Sequence, residues 1–252
     1  ARSIARSIAR SIALAAFFAG VSDLLAAAPP QPNILFIIAD DASCHFGCYG
    51  CRWATTPAVD ALAARGIVFD AAYVPTSKCA PCRAGLLTGR YPWQLEEAAN
   101  HQATFPPKFA AFTEALSGRG VACGEKGKVW GPGVALTADG KPRNWGLAQK
   151  PFREFLAGVP TDKPFFYWYG SVNPHRAYTP DAGLKAGKKT TDIDRVPAFW
   201  PDTDVVRRDM LDYATEIEAF DREVGDLVAT LKESGRLDNT LIVVTSDHGM
   251  PF

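Results

Sequence analysis

The sequence has no excess of charge of either sign, few cysteines and no long apolar run in its main part. Its 252 residues carry 27 basic and 27 acidic side chains, so the formal net charge is zero and the bulk charge does not favour a nucleic-acid partner. Six cysteines are too few for a domain held together by disulfides. No segment after residue 30 is apolar for long enough to span a bilayer. The remaining composition, 47% hydrophobic, is typical of a globular protein with one large domain.

The first 28 residues differ from the rest of the chain. Three copies of Ala-Arg-Ser-Ile place Arg2, Arg6 and Arg10 at four-residue spacing, and an apolar run then leads to small residues at positions 26–28. A basic start, an apolar middle and a small-residue end are typical of a secretory signal peptide. We therefore predict a leader over residues 1–28, a secreted or periplasmic location, and a folded domain over residues 29–252. An uncleaved anchor or a misassigned start is the alternative, because Asp23 interrupts the apolar run and no initiator Met is present.

Apolar runs alternate with amphipathic stretches along the rest of the chain. Apolar residues at alternating four- and three-residue spacing predict a helix with one buried face over residues 205–234. Runs that are apolar throughout predict strands buried on both faces, as at residues 33–39 and 240–245. The other predicted strands are residues 67–69, 121–123 and 165–169, the other predicted helices are residues 57–65 and 108–116, and the predicted loops are residues 130–161 and 177–202. This alternation predicts the α/β class, with a largely parallel sheet between layers of helices.

Acidic residues follow two of the apolar strands at the point where each strand ends. Asp40 and Asp41 come directly after residues 33–39, and Asp247 and His248 come shortly after residues 240–245. In parallel α/β sheets, ligands bind outside the carboxyl ends of the strands. Carboxylates gathered there repel one another unless a cation neutralises them, and oxygen ligands favour Ca²⁺ or Mg²⁺ over Zn²⁺. The sequence thus favours a metal site, and the alternative is that Asp40 and Asp247 only begin turns.

A cysteine motif, Cys79-Ala-Pro-Cys-Arg, lies where a further helix is predicted to start. Its first residue would face the unpaired N–H groups and positive dipole end of that helix, with Arg83 one turn further on. Such a pocket suits an oxyanion. Three interpretations remain open at this point. Cys79 and Cys82 form a redox pair, or the motif is half of a zinc site with Cys48 and Cys51, or Cys79 is a catalytic nucleophile or its precursor.

These motifs resemble, in type and in order, those of formylglycine-dependent sulfatases, nearest the iduronate-2-sulfatase and sulfamidase branches. The Cys-X-Pro-X-Arg element is followed by Leu-Thr-Gly-Arg at residues 87–90. Before it come the apolar run ending in Asp-Asp at residues 33–41, Gly-Cys-Tyr-Gly at 47–50 and Thr-Pro-Ala-Val-Asp-Ala-Leu-Ala at 56–63. After it come Gly-Lys-Val at 127–129, Asn-Pro-His-Arg at 173–176 and Thr-Ser-Asp-His-Gly at 245–249. The resemblance covers roughly residues 32–252.

The resemblance implies an alkaline-phosphatase-like fold, a three-layer α/β sandwich with a largely parallel central sheet, here C-terminally truncated. It implies that residues 29–252 are the N-terminal part of a catalytic domain that hydrolyses sulfate esters or sulfamates of a carbohydrate. In the family, the cysteine matched by Cys79 is oxidised to formylglycine, an aldehyde whose hydrate supplies the nucleophile. The implied partners are a sulfated small molecule or glycan and a formylglycine-generating enzyme.

The resemblance also implies roles for individual residues. Arg83 and Lys128 would stabilise the hydrate and the charge that develops on the sulfate. His175 would donate a proton or contact the sulfate. One oxygen of the hydrate would attack sulfur, and the second would then expel sulfate and restore the aldehyde. The implied ligands of a divalent cation, Ca²⁺ with Mg²⁺ as the alternative, are Asp40, Asp41, Cys79, Asp247 and His248.

The sequence departs from the family pattern at several places. Cys82 replaces the usual Ser, and Trp130 stands where the family often has a His, so that His101 is the candidate for that role. The chain stops at Phe252, before the smaller C-terminal subdomain of the family, which predicts a fragment with an exposed sheet edge. Two other functions stay open: a phosphodiesterase or phosphonate hydrolase of the same superfamily, and an inactive truncated homologue. The sequence predicts no oligomeric state.

Overall fold

The structure is a computed structural model, and it describes residues 31–250. The predicted leader over residues 1–28 lies outside these described residues. Within them, no helix has both the length and the apolar character that crossing a membrane requires.

A five-stranded parallel sheet forms the centre of the described part of the chain. The strands are β1 (Asn33–Ala39), β2 (Ala103–Phe105), β3 (Ala122–Gly127), β4 (Gly133–Ala135), β5 (Ala148–Gln149), β6 (Phe165–Gly170) and β7 (Thr240–Ser246). The central sheet has the order β5-β3-β6-β1-β7, and every neighbouring pair is parallel. Ile34 of β1, for example, pairs with Phe166 of β6 on one side and with Leu241 of β7 on the other. The predicted parallel sheet is therefore confirmed, and β2 and β4 form a separate two-stranded sheet.

The long amphipathic stretch forms a single helix of 30 residues. The helices are α1 (Pro57–Ala63), α2 (Cys79–Thr88), α3 (Phe112–Gly118), α4 (Phe152–Gly158), α5 (Ala182–Lys185) and α6 (Asp204–Glu233). The Thr203 side chain caps the start of α6 by accepting from Val206 N, and Gly235 adopts a positive φ of 70° just beyond its end. The predicted apolar stripe of α6 is buried along its whole length: Tyr213, Ile217, Phe220, Val224, Leu227 and Leu231.

Helices cover both faces of the sheet. Alternate residues of the central strands point to opposite sides, so both faces carry apolar side chains that pack against helices. On one face, Leu35 and Ile37 of β1 pack in a cluster that includes the buried residues of α4 and α6. On the other face, Ile38 and Trp168 pack with Ala84 and Leu87 of α2. The predicted three-layer α/β arrangement is confirmed.

Two of the predicted strands differ in the structure. Residues 67–69 form no strand among the described residues, and Ile67 and Phe69 are 81% and 69% exposed. Their β-branched and aromatic side chains fit a pleated surface, but a strand also needs a neighbour to bond with. Residues 240–245 do form a strand, but β7 lies at the edge of the sheet, and Leu241 is 54% exposed. The prediction of a buried strand at this place was wrong.

The predicted boundaries and loops also needed correction. α3 begins at Phe112 instead of residue 108, and β3 continues to Gly127 beyond the predicted end at residue 123. The predicted loop over residues 130–161 contains β4, β5 and α4, and the one over residues 177–202 contains α5. These elements are two to seven residues long, too short for a periodic pattern to stand out among glycines and prolines.

Candidate active site

The predicted acidic residues meet at one edge of the sheet. Because β1 and β7 are parallel neighbours, Asp40–Asp41 and Asp247–His248 leave the sheet side by side. The backbone N–H of Asp247 donates to the carbonyl of Ala39 (3.2 Å), and that of Asp41 donates to Asp247 Oδ1 (3.1 Å). All three aspartates are buried. Burying a carboxylate costs free energy because the group loses its hydration. A role in beginning turns does not explain why three carboxylates are buried together.

Helix α2 brings Cys79 to the same edge of the sheet. Cys79 is the first residue of the helix, and Lys78 before it is extended. The Sγ atom of Cys79 lies 3.3 Å from His248 Nε2 and 3.9 Å from Asp41 Oδ1. His248 Nε2 lies 3.2 Å from the same Asp41 oxygen. Free N–H groups and the helix dipole favour negative charge at this position, as the sequence predicted.

Two groups of side chains around Cys79 are close enough together to hold a metal ion. In each group, one ligand atom per residue lies within 4.8 Å of all the others. The first group is Asp41, Cys79, Asp247 and His248, and the second is Asp40, Cys79 and His175. His175 comes from the loop after β6, and its Nε2 lies 3.8 Å from Asp41 Oδ2. Four of the five residues predicted as ligands thus form one group, while Asp40 shares the second group with Cys79 and with His175, which was not predicted as a ligand.

Two cationic side chains, Arg83 and Lys128, bond to the carboxylates of Asp40 and Asp247. Arg83 is completely buried and donates from Nε to Asp247 Oδ2 (2.9 Å), from Nη2 to Asp40 Oδ1 (3.2 Å) and from Nη1 to the carbonyl of Lys128 (2.5 Å). Lys128, which follows β3, donates from Nζ to both oxygens of Asp40 at 2.7 Å. Arg83 and Lys128 thus bond Asp40 and Asp247 but not Asp41. With all three carboxylates counted as ionised against these two cations, the formal charge of the group is −1.

The proton affinities of the two acids nearest Arg83 differ. Burial raises the pKa of Asp40, and the neighbouring Asp247 carboxylate raises it further. Burial also opposes ionisation of Asp247, but the charge of Arg83 and a hydrogen bond from Asp40 outweigh it and lower the pKa of Asp247 to about 2. A proton on Asp40 thus relieves the repulsion between the two groups, and a bound cation would relieve it in the same way.

The cysteines do not support the redox or zinc interpretations. All six are free, and the Cys82 thiol donates to the backbone carbonyl of Asp247 at 2.6 Å. Burial raises the pKa of the Cys82 thiol to about 12, which disfavours the thiolate that thiol exchange requires. Cys48 and Cys51 belong to neither of the candidate metal groups found among the described residues.

His101, the candidate for the role of the missing family His, lies exposed on the segment before β2. Partial desolvation, followed by the charges of Lys78 and Lys128, lowers its pKa. One residue near the site, Glu223, was missed by the sequence analysis. The hydrogen bonds that hold the loop after β6 run to Glu223 on α6. A single glutamate on the polar side of a long helix carries no local signal of such a contact, so sequence patterns could not have found it.

Comparison with known proteins identifies the family. The family model described as Sulfatase matches residues 32–129 and 147–252. The chain belongs to the sulfatase family. This sulfatase is 31% identical to human N-sulphoglucosamine sulphohydrolase over 265 residues, covering 90% of this chain and 52% of the human protein. An ulvan-active sulfatase of Formosa agariphila is 25% identical over 272 residues, covering 89% of this chain and 44% of that protein.

The sulfatase chain spans about half the length of these two curated relatives. Among solved structures, the yidJ protein of Bacteroides fragilis matches with a TM-score of 0.72, which covers 88% of this chain and 63% of that one. The two sequences are 22% identical. This likeness confirms the predicted alkaline-phosphatase-like fold.

Proposed function

We propose that this sulfatase chain hydrolyses sulfate esters or sulfamates of a carbohydrate, using a formylglycine made from Cys79 and a divalent cation. The observation that carries the proposal is the position of Cys79 at the first residue of α2, opposite the ends of β1 and β7. There its side chain lies 3.9 Å from Asp41 and 3.3 Å from His248. A nucleophile at this place can share one cation with the carboxylates at the strand ends.

Cys79 is better suited to conversion than to direct attack. Burial, reinforced by the charge of Asp247, raises the pKa of its thiol to about 11, so that the thiolate is scarce near neutral pH. Formylglycine, once made by a formylglycine-generating enzyme, supplies a hydrated aldehyde with an oxygen nucleophile. The free N–H groups at the start of α2 would favour the negative charge of that oxygen.

The donor set fits a hard divalent cation. Carboxylate oxygens dominate it, and conversion replaces the sulfur of Cys79 by oxygen, which favours Ca²⁺ and makes Mg²⁺ the alternative. The formal charge of −1 that remains after Arg83 and Lys128 are counted also favours a cation. When bound, the cation polarises the sulfate oxygens and eases deprotonation of the nucleophile. The proposed ligands are Asp40, Asp41, residue 79, Asp247 and His248.

The remaining polar side chains have separate roles. Arg83, fully buried, would hold Asp40 and Asp247 in place, and its predicted role at the hydrate and the sulfate stays a prediction. Lys128 is partly exposed beside Asp40, so its ammonium group can stabilise charge that develops on the sulfate. The half-exposed His175 imidazole, 3.8 Å from Asp41, would give a proton to the departing alcohol or amine or contact the sulfate.

The substrate and the location follow from the relatives and from the leader. One relative is named for N-sulphoglucosamine and another for ulvan, which supports a sulfated small molecule or glycan as substrate. The leader predicted over residues 1–28 supports a secreted or periplasmic location. Residues 29–252 would then be the N-terminal part of the catalytic domain.

The test is to express the full chain with a formylglycine-generating enzyme and to measure, by mass spectrometry, the mass of the peptide that contains Cys79. We expect the mass change from thiol to aldehyde at Cys79 and none at the buried Cys123, which serves as the matched control. Sulfate release is then measured with glucosamine N-sulfate and a sugar O-sulfate, with phosphodiester and phosphonate substrates as controls. Undiminished hydrolysis by a protein with unmodified Cys79, or a preference for the phosphorus substrates, would contradict the proposal.

A further inference from the structure

The loop after β6 connects the sheet to His175. Its backbone is tied to β1, because Ser171 N donates to the carbonyl of Ile38 (2.9 Å) and Asp40 N donates to the carbonyl of Asn173 (3.0 Å). His175 N donates to the carbonyl of Val172 (3.0 Å) within the same loop. A shift of this loop would therefore move both the His175 imidazole and the backbone of Asp40.

One carboxylate of helix α6, that of Glu223, holds this loop. Glu223 of α6 accepts from Ser171 Oγ at Oε2 (2.6 Å) and from Asn173 Nδ2 at Oε1 (3.0 Å). Ser171 Oγ in turn accepts from the backbone N–H of Asn173 (2.9 Å). These three hydrogen bonds form a closed ring in which both carboxylate oxygens are used. Burial, and after it the charge of Glu223 and a hydrogen bond with Glu223, also raise the pKa of Tyr169 in β6.

We propose that Glu223 is a positioning residue of the active site, which fixes His175 and Asp40 through the loop over residues 171–175. The inference rests on the proposed function, since His175 and Asp40 act in that reaction. Ser171 is buried, so removal of the carboxylate leaves its hydroxyl, and the Asn173 amide, to find other partners. Small displacements of groups that orient a substrate reduce the rate strongly.

Glu218, five positions earlier on α6, provides a matched control. It accepts from the backbone N–H of Thr55 (2.9 Å) and from Lys188 Nζ. Glu218 therefore connects the same helix to two other loops by two hydrogen bonds. Neither of these loops carries a proposed site residue. Loss of Glu218 removes its contacts with Thr55 and Lys188, and loss of Glu223 removes its contacts with Ser171 and Asn173 and its interaction with Tyr169. Only the loss of Glu223 should reach the site.

The test compares Glu223→Ala, Glu223→Gln and Glu218→Ala in the full chain carrying formylglycine. We expect Glu223→Ala to lower kcat about 10- to 100-fold with KM changed less than about twofold, and to speed amide hydrogen exchange in residues 171–175. Glu223→Gln should recover most of the rate, because its amide can accept from Asn173 and donate to Ser171. Glu218→Ala should leave kcat and the exchange of residues 171–175 within about twofold of wild type.

Equal losses of kcat in Glu223→Ala and Glu218→Ala, or unchanged exchange in residues 171–175, would overturn the inference. Should Glu223→Ala not fold, Asn173→Ala removes one bond of the ring and must by itself speed exchange and lower kcat, and failure to do so rejects the inference equally. Hydrogen exchange is independent of activity. A wild-type protein that releases no sulfate would refute the proposed function, while the exchange data still decide whether Glu223 holds the loop.

Discussion

Replacing Arg83 by Met removes the buried cation between two strand ends. The long, unbranched apolar side chain of Met still occupies the space of the Arg stem. Arg83 is completely buried, and its charge is bonded to Asp247 at 2.9 Å and to Asp40 at 3.2 Å. Lys128 still binds Asp40 in the variant, but Asp247, which is also fully buried, loses its ion-pair partner. The Arg83→Met protein must therefore either bury an unpaired carboxylate or protonate it.

The expected cost is large. Removing one partner of a buried ion pair typically destabilises a protein by about 3–5 kcal/mol. For domains of about 150–250 residues, 1 kcal/mol lowers Tm by about 2–4 °C, so Arg83→Met should lower Tm by about 6–20 °C. Because a bound cation would partly neutralise Asp247, we expect Ca²⁺ to raise the Tm of wild type and to restore part of the loss in the variant.

Thermal unfolding followed by circular dichroism, with and without Ca²⁺, measures both effects. The control is Arg153→Met, which removes an exposed ion pair with Glu233 and should cost less than about 1 kcal/mol. If Arg83→Met and Arg153→Met lowered Tm equally, Arg83 would not be the residue that neutralises the buried carboxylates. The assignment of its role would then be refuted.

Three further predictions concern other parts of the fold. Burial raises the pKa of Glu125 to about 7, so wild type loses stability as pH rises from about 4.5 to above 7. Glu125→Gln should therefore be more stable than wild type above pH 7, by about 1–3 kcal/mol in urea unfolding. Cys82→Ser should cost less than about 1 kcal/mol, because a hydroxyl suits the 2.6 Å contact with the Asp247 carbonyl better than a thiol. Phe220→Ala, in the fully buried stripe of α6, should cost about 3–5 kcal/mol in thermal unfolding.

Each of these predictions has a result that would contradict it, and Val205→Ala is the control for Phe220→Ala. A Glu125→Gln protein whose stability followed pH in parallel with wild type would show that Glu125 does not titrate on unfolding. A strongly destabilised Cys82→Ser protein would show that the sulfur fills space that oxygen cannot. Val205→Ala, at an exposed position of α6, should change stability by less than about 0.5 kcal/mol. An equal effect of Val205→Ala and Phe220→Ala would contradict the packing of α6.

Patterns that extend over many residues predicted most of the fold. The apolar run of β1 and the periodic stripe of α6 each determine an element and its buried face. The run at residues 67–69 has the same residue types as a strand, but no strand among the described residues pairs with it. A strand needs a neighbour, and the neighbour is a property of the whole fold.

The candidate site was predicted to a similar extent. Parallel strands end at one edge, so Asp40 and Asp247 could be placed together from the sequence. The partners of Arg83 could not, because the direction of a long side chain is fixed by tertiary contacts. Glu223 escaped prediction for the same reason, since its two partners lie about 50 positions away in the chain.

A crystal structure of the protein co-expressed with a formylglycine-generating enzyme and crystallised with Ca²⁺ tests the central claim most directly. We predict an aldehyde or its hydrate at position 79 and one cation at about 2.3–2.6 Å from its oxygen and from carboxylate oxygens of Asp40, Asp41 and Asp247. An intact thiol at Cys79 with no cation between these carboxylates, or a cation bound elsewhere, would contradict the account.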